Sequence, residues 1–106
     1  MKRPPEDRRI STRINQSRTV RIRPAESKYP EEIRTTMNVS WDGFYFATSI
    51  EHYYSGMIVH VTRDFRTNGP ANREKQGTVV RVDKLREGRW GIAVQMTRDF
   101  WRNSVA

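Results

Sequence analysis

The stretch Asn38–Gly43 joins two predicted strands and concentrates small polar groups at one corner. The amide of Asn38 can donate and accept hydrogen bonds at once, and the hydroxyl of Ser40 adds a second donor and acceptor. Gly43 can adopt a positive φ angle and lets a ligand or a neighbouring backbone approach closely. The corner is therefore suited to hydrogen-bonding a polar ligand, although Asp42-Gly43 between strands is also an ordinary hairpin signal.

A second group of chemistry-bearing residues is basic and precedes the corner: Arg8, Arg9 and Arg13. A guanidinium group presents a planar fork that pairs with phosphate oxygens or with a guanine edge, and it also stacks on aromatic planes. Residues 1–23 carry eight basic and two acidic side chains, within a net charge of +8 for the whole chain of 106 residues. The charge pattern favours a negatively charged partner, whether a nucleotide, a nucleic acid or an acidic protein surface.

Together the two groups resemble the signatures of the PilZ family. Arg9 and Arg13 match its Arg-x-x-x-Arg motif, and Asn38, Ser40 and Gly43 match its Asp/Asn-x-Ser-x-x-Gly motif. The resemblance covers residues 8–101. It implies a small six-stranded antiparallel β-barrel that binds cyclic di-GMP, a bacterial second messenger. It implies no cofactor besides this ligand.

The resemblance also implies roles for individual residues. Arg9 and Arg13 would supply guanidinium groups to guanine and phosphate, while Asn38 and Ser40 would hydrogen-bond a guanine edge or a phosphate. Gly43 would leave room for the base to lie close. Many relatives have Asp where this chain has Asn38. The amide lacks the charged acceptor for guanine, so we expect binding to be retained, at the same or a lower affinity.

Two further arginines are secondary candidates. Arg8 adjoins the first motif and could contact a second, stacked ligand molecule, because the family binds the dinucleotide singly or as an intercalated pair. Arg81 should point outward if Val80 and Val82 face the core, and it could then stack on a base; the alternative is a plain exposed strand residue. Ala93 stands where the family often has Gly, and we expect little consequence from so small a change.

Structural interpretations of the same residues stay open. The arginines could form only a solvated basic tail, Asn38 and Ser40 could only cap a turn, and Trp41 could be a stacking platform or a surface-shielding aromatic. His52 and His60 are too few and too isolated for a metal site. The sequence shows no nucleophile–base arrangement, Walker loop or paired catalytic carboxylates, so we predict that the protein is not an enzyme.

Segments that alternate apolar and polar residues at regular spacing indicate an all-β barrel or sandwich. The predicted strands are Thr19–Arg23, Glu31–Val39, Gly43–Thr48, Gly56–Thr62, Gly77–Asp83 and Arg89–Met96. The predicted core contains Val20, Ile22, Ile33, Met37, Val39, Phe44, Phe46, Met57, Val59, Val61, Val80, Val82, Ile92, Val94 and Met96.

Charge and proline dominate residues 1–17, which are predicted to form a mobile arm carrying the first arginine motif. Residues 18–106 are predicted to form the barrel, with a short C-terminal helix that places Phe100 or Trp101 over a barrel end. The chain has no cysteine, which fits a cytoplasmic protein. No apolar run approaches the roughly 20 residues of a membrane-spanning helix, so membrane insertion is not expected.

Three functions are compatible with these features. The first is a cyclic di-GMP receptor whose arm becomes ordered on binding and signals to a downstream effector protein. The second is a PilZ-like protein-interaction adaptor that no longer binds nucleotide. The third is a small-barrel nucleic-acid-binding protein, which is disfavoured because the positive charge is concentrated in the arm and the aromatic residues lack a ribonucleoprotein-type spacing.

Overall fold

The computed structural model describes residues 17–68 and 73–101, together with the backbone of residues 13 and 14. The described residues form eight strands and no helix: β1 (Arg13–Ile14), β2 (Thr19–Pro24), β3 (Glu32–Thr35), β4 (Asn38–Ser40), β5 (Gly43–Thr48), β6 (Ile58–Arg63), β7 (Lys75–Lys84) and β8 (Trp90–Gln95). Within this part of the chain there is accordingly no helix that could cross a membrane.

All eight strands belong to one antiparallel sheet in the order β1-β4-β5-β8-β7-β6-β2-β3. Strands β3 and β4 follow one another directly in sequence, yet β3 pairs with β2 near one edge of the sheet and β4 pairs with β5 near the other. Two consecutive strands can meet both requirements only if the sheet curls, and β3 indeed also contacts β5. The sheet therefore forms a half-barrel.

The prediction of an all-β antiparallel fold is confirmed, whereas the strand count differs. The predicted second strand is interrupted at Thr36 and Met37, which separates β3 from β4, and the short strand β1 adds one more. No C-terminal helix is present within the described residues, because residues 98–101 form turns. Phe100 nevertheless lies in the core with 3% of its surface exposed.

Alternating residues of the strands fill the inside of the half-barrel, as expected for a sheet with one buried face. Most of the predicted core residues are buried: Val20, Ile22, Val39, Phe44, Phe46, Met57, Val59, Val61, Ile92, Val94 and Met96. Tyr53, Val79 and Phe100 complete the buried apolar cluster. The hydrophobic pattern thus placed the inner face of five strands correctly.

Val80 was predicted to be buried, and this prediction is wrong. A β-bulge shifts the pairing between Val79 and Arg81, so that Val79 is fully buried and Val80 is 46% exposed. One extra residue in a strand reverses the inward and outward positions that follow it. Val82, beyond the bulge, packs against the core in a partly buried position.

Ile33 and Met37 are likewise exposed, and Glu32 is buried in their place. Glu32 accepts hydrogen bonds from the hydroxyl groups of Tyr53 (2.5 Å) and Thr48 (2.9 Å). Nε of Arg34 also donates to it, at 2.5 Å. Three donors satisfy a carboxylate that would otherwise be costly to bury, so hydrogen bonding rather than hydropathy sets the orientation of β3.

Candidate functional site

A row of paired residues crosses four strands on the outer face of the half-barrel. Asn38 of β4 pairs with Tyr45 of β5, Tyr45 pairs with Ala93 of β8, and Ala93 pairs with Arg81 of β7. Paired residues of antiparallel neighbours project from the same face of a sheet. Their neighbours in sequence, such as Val39 and Val94, are buried. Because successive side chains of a strand point to opposite faces, the residues of this row point outward.

A second row lies beside the first. Ser40 pairs with Gly43, and Gly43 pairs with Gln95. On the other side of Ser40 lies the backbone of Arg13, because Arg13 and Ser40 are partners in the pairing of β1 with β4. The fold thereby brings one residue of the first sequence motif to the second motif.

These rows border a cavity of about 190 Å³. Four of the predicted site residues line it, namely Asn38, Ser40, Gly43 and Arg81. The remaining lining residues come from the β4–β5 turn and from β5, β7 and β8: Asp42, Phe44, Tyr45, Val80, Ala93, Val94 and Gln95. Arg8 and Arg9 lie outside the described residues, as does most of the predicted arm.

The turn that carries the second motif is tied down on several sides. The hydroxyl of Ser40 donates to Oδ1 of Asp42 at 3.1 Å. The carbonyl of Asp42 accepts from the amide of Met96 at 2.7 Å, and the carbonyl of Gly43 accepts from Nε1 of Trp101 at 2.9 Å. These bonds fix the corner before any ligand arrives, and the first of them is the turn-capping role that the sequence left open for Ser40.

Gly43 has a structural role at this corner. A Cβ atom at position 43 would lie 2.3 Å from the carbonyl oxygen of Val94, which is far inside van der Waals contact. Gly43 is therefore needed so that β5 can approach β8. Space for a ligand is not required to explain the glycine.

Tyr45 is a cavity residue that the sequence reasoning missed. Its hydroxyl donates to Oδ2 of Asp83 at 2.8 Å, and its ring occupies the space above Gly91, where a Cβ atom would lie 1.8 Å from the Tyr45 hydroxyl oxygen. The guanidinium carbon of Arg81 lies 5.5 Å from the ring centroid. The sequence did contain a signal for it: an aromatic residue stands two positions after Gly43, where the alternation along the strand directs the side chain to the outer face.

Charge at this end of the site is partly compensated within the chain. Nε of Arg81 donates to Asp83 at 3.1 Å. The hydrogen bond from the Tyr45 hydroxyl, followed by that from Arg81, lowers the pKa of Asp83 below its ordinary value. Partial burial, together with the hydrogen bond to Asp83, raises the pKa of Tyr45. Tyr45 is thus a neutral phenol at physiological pH, with its hydroxyl proton directed at Asp83.

Trp41 lies at the tip of the same turn with 51% of its surface exposed. The guanidinium carbon of Arg98 is 4.6 Å from the centroid of its ring, which is within the range of a cation–π contact. Trp41 is not among the residues that line the cavity. Its exposed ring is accordingly a neighbour of the site and not part of its wall.

Comparison with known proteins adds one finding about the fold. No family model matches this chain, and no curated protein matches it in sequence. Among solved structures, the chain is similar to the inhibitor of motility MotI/DgrA of Bacillus subtilis, with a TM-score of 0.60 and 16% sequence identity. The similar region covers 79% of this chain and 40% of that protein, so the chain spans less than half the length of its structural neighbour. At this level of identity the likeness shows a shared fold alone.

Proposed function

We propose that this chain is a PilZ-like receptor that binds cyclic di-GMP at the outer-face cavity and has no catalytic activity of its own. The observation that carries the proposal is the convergence of Asn38, Ser40 and Arg81 on one cavity, with the backbone of Arg13 paired to Ser40. The meeting of residues that are distant in sequence at one cavity supports the site that the motif resemblance implies. The proposal is also supported by the similarity of this fold to that of a bacterial inhibitor of motility.

The chemistry of the cavity suits a guanine base. An arginine fork matches the adjacent O6 and N7 acceptors of guanine, and the amide of Asn38 can both donate to and accept from a base edge. A cavity of about 190 Å³ is smaller than the roughly 300–1,000 Å³ of typical ligand pockets. It would hold one base, which leaves the phosphates and the second base to contacts outside it.

The N-terminal arginines would supply those contacts. In the proposed mechanism, Arg9 and Arg13 pair with phosphate or guanine, and Arg8 contacts a second ligand molecule where two are stacked. Neutralisation of the clustered positive charge by the phosphates would order the arm against the sheet. The new arm position would be the signal that a downstream effector protein reads.

Calorimetric titration with cyclic di-GMP, with GTP and a short oligonucleotide as controls, tests the proposal. We expect saturable binding of cyclic di-GMP and no binding of either control. The melting temperature should rise with cyclic di-GMP, because a ligand that binds only the folded state stabilises it. Asn38→Ala should weaken binding, whereas Asn68→Ala, in an exposed loop, should not. No binding at about 100 μM ligand, where stabilisation would be measurable, would contradict the proposal; it would favour the adaptor role, or nucleic-acid binding if the oligonucleotide bound instead.

A further inference from the structure

Tyr45 occupies an unusual position on the outer face of the sheet. Its hydroxyl oxygen, Cζ and one Cε atom lie 1.8, 2.5 and 3.2 Å from the place where a Cβ atom of residue 91 would be. The ring therefore leans along the sheet and fills the space that a side chain at Gly91 would take. The hydroxyl end of the phenol covers the Gly91 backbone, and the residue lines the cavity.

Two contacts hold the ring in this position. The hydroxyl reaches across the intervening strand β8 and donates to Oδ2 of Asp83 at 2.8 Å. The guanidinium carbon of Arg81 lies over the ring, 5.5 Å from its centroid, and its Nε donates to Asp83 at 3.1 Å; a base that stacks on the ring would displace this guanidinium toward the base edge. An aromatic surface fixed in advance loses little conformational entropy when a ligand stacks on it.

The neighbours of Tyr45 supply polar groups on either side. Asn38 is its partner on β4, and Arg81 lies beyond Ala93 on β7. Three strand spacings of about 4.8 Å place the β4 and β7 backbones roughly 14 Å apart. A planar base over β5 and β8 would then have an amide at one edge and a guanidinium at the other, and the small side chain of Ala93 leaves the space between them open.

We propose that Tyr45 is the aromatic platform on which a purine base of the bound dinucleotide stacks, and that Asp83 and Gly91 are positioning residues for its ring. This inference rests on the proposed function and adds a contact that the two sequence motifs do not contain. Stacking is available to every base, since each has a π face. Selection of guanine is then left to the edge contacts of Asn38 and Arg81.

Substitutions at position 45 separate stacking from hydrogen bonding. Tyr45→Phe keeps the π face but loses the hydrogen bond through which Asp83 positions the ring, so it should weaken binding of cyclic di-GMP less than Tyr45→Leu does. Tyr45→Leu removes the π face and should weaken binding about 5- to 150-fold, the range set by base–aromatic stacking energies. In the proton spectrum of the ligand, the guanine H8 resonance should move upfield on binding to the wild-type and Phe chains, and this ring-current shift should be smaller with the Leu chain.

A second variant keeps tyrosine at position 45 but displaces its ring. Gly91→Ala would put a Cβ atom in the space that the phenol occupies, and the side chain can swing outward more easily than the backbone can shift. Binding should fall to the level of Tyr45→Leu, with circular dichroism and the melting temperature confirming that the variant remains folded.

The possible outcomes distinguish this inference from the proposed function. Wild-type affinity and an unchanged H8 shift in the folded Tyr45→Leu chain would overturn the platform and leave the receptor proposal standing. A lower melting temperature without loss of affinity would identify Tyr45 as a cover for Gly91 and also overturn it. Failure of the wild-type chain to bind cyclic di-GMP would overturn both.

Discussion

Gly43 lies so close to Val94 that a Cβ atom at position 43 would be 2.3 Å from the Val94 carbonyl oxygen. The contact joins the motif corner to the central strand β8, and it is a contact between two backbones. The glycine at the end of the Asn-x-Ser-x-x-Gly motif is thus explained by strand packing. The motif therefore has a structural role in building the corner.

Gly43→Ala is therefore expected to destabilise the fold, by about 1–3 kcal/mol, because a carbonyl oxygen on a paired strand cannot move aside. Gly77→Ala is the matched control. There the added Cβ would lie 2.3 Å from Sδ of Met96, the end of a flexible side chain, although the Gln95 carbonyl at 3.0 Å is also close. Urea unfolding should give a larger loss at Gly43; an equal or larger loss at Gly77 would contradict this account.

Glu32 is expected to be essential for stability, because it is the shared acceptor of the buried Tyr53 and Thr48 hydroxyls. Glu32→Ala should cost about 1–3 kcal/mol for each hydroxyl left without an acceptor. Glu32→Gln retains an acceptor oxygen and should cost less. The adjacent residue is a suitable control: Glu31 pairs with Arg21 in an exposed position, and Glu31→Ala should cost less than about 0.5 kcal/mol. Equal losses at the two positions in chemical denaturation would refute the role of the buried carboxylate.

The environment of His52 leads us to expect a loss of folding stability in mildly acidic solution. Its ring lies against Tyr29 and Tyr53, with centroid distances of 4.7 and 4.3 Å, and its Nε2 atom is buried with no hydrogen-bond partner among the described residues. Burial lowers the pKa of His52 below its usual 6.5, and the nearby Glu32 carboxylate opposes this only in part. Below pH 6.5 the unfolded chain therefore binds the proton more readily than the folded one.

The stability contributed by neutral His52 should accordingly be complete above about pH 6.5 and should decline as the pH falls from there toward the lowered folded-state pKa. Melting temperatures measured at several pH values between 7.5 and 5.5 test this. His52→Phe, which preserves a ring in the stack, should flatten the profile over that interval. A profile that is unchanged by the substitution would show that other groups cause the decline.

Arg9→Ala and Arg13→Ala are each predicted to abolish binding of cyclic di-GMP without unfolding the chain. A lost arginine fork removes about 1–3 kcal/mol of base recognition, and further phosphate pairing with it. The pairing of Arg13 with Ser40 involves the backbone, so it survives the substitution. Arg66→Ala, at an exposed position in the loop after β6, is the control for general charge. A melting temperature reduced in either motif variant would contradict the prediction that these arginines lie outside the core.

Local hydrophobic patterning predicted the fold class and most of the inner face, because a strand with one buried side alternates regularly. It failed where the alternation is interrupted. The bulge at Val80 inserts one residue into β7, and the break at Thr36 and Met37 changes parity between β3 and β4, which exposes Ile33. Both interruptions depend on how the strands pair with their neighbours in the sheet, and the hydrophobic pattern of a single segment does not record that pairing.

The grouping of the candidate site residues was predictable only as far as short motifs encode it. Asn38 and Ser40 line the cavity as their spacing suggests, and Arg81 joins them although the burial of Val80 used to orient it was wrong. Tyr45 could not be found in the same way. Its place depends on Asp83 and Gly91, which come from the two strands of a hairpin much further along the chain.

Amide chemical-shift mapping of the isotopically labelled chain during titration with cyclic di-GMP tests the central claim most directly, because it reports both whether the ligand binds and where. The account predicts saturable shifts concentrated at Asn38, Ser40, Gly43, Tyr45 and Arg81, with little change at the β7–β8 hairpin tip around Glu87. No shifts at saturating ligand, or shifts confined to that hairpin tip, would contradict it.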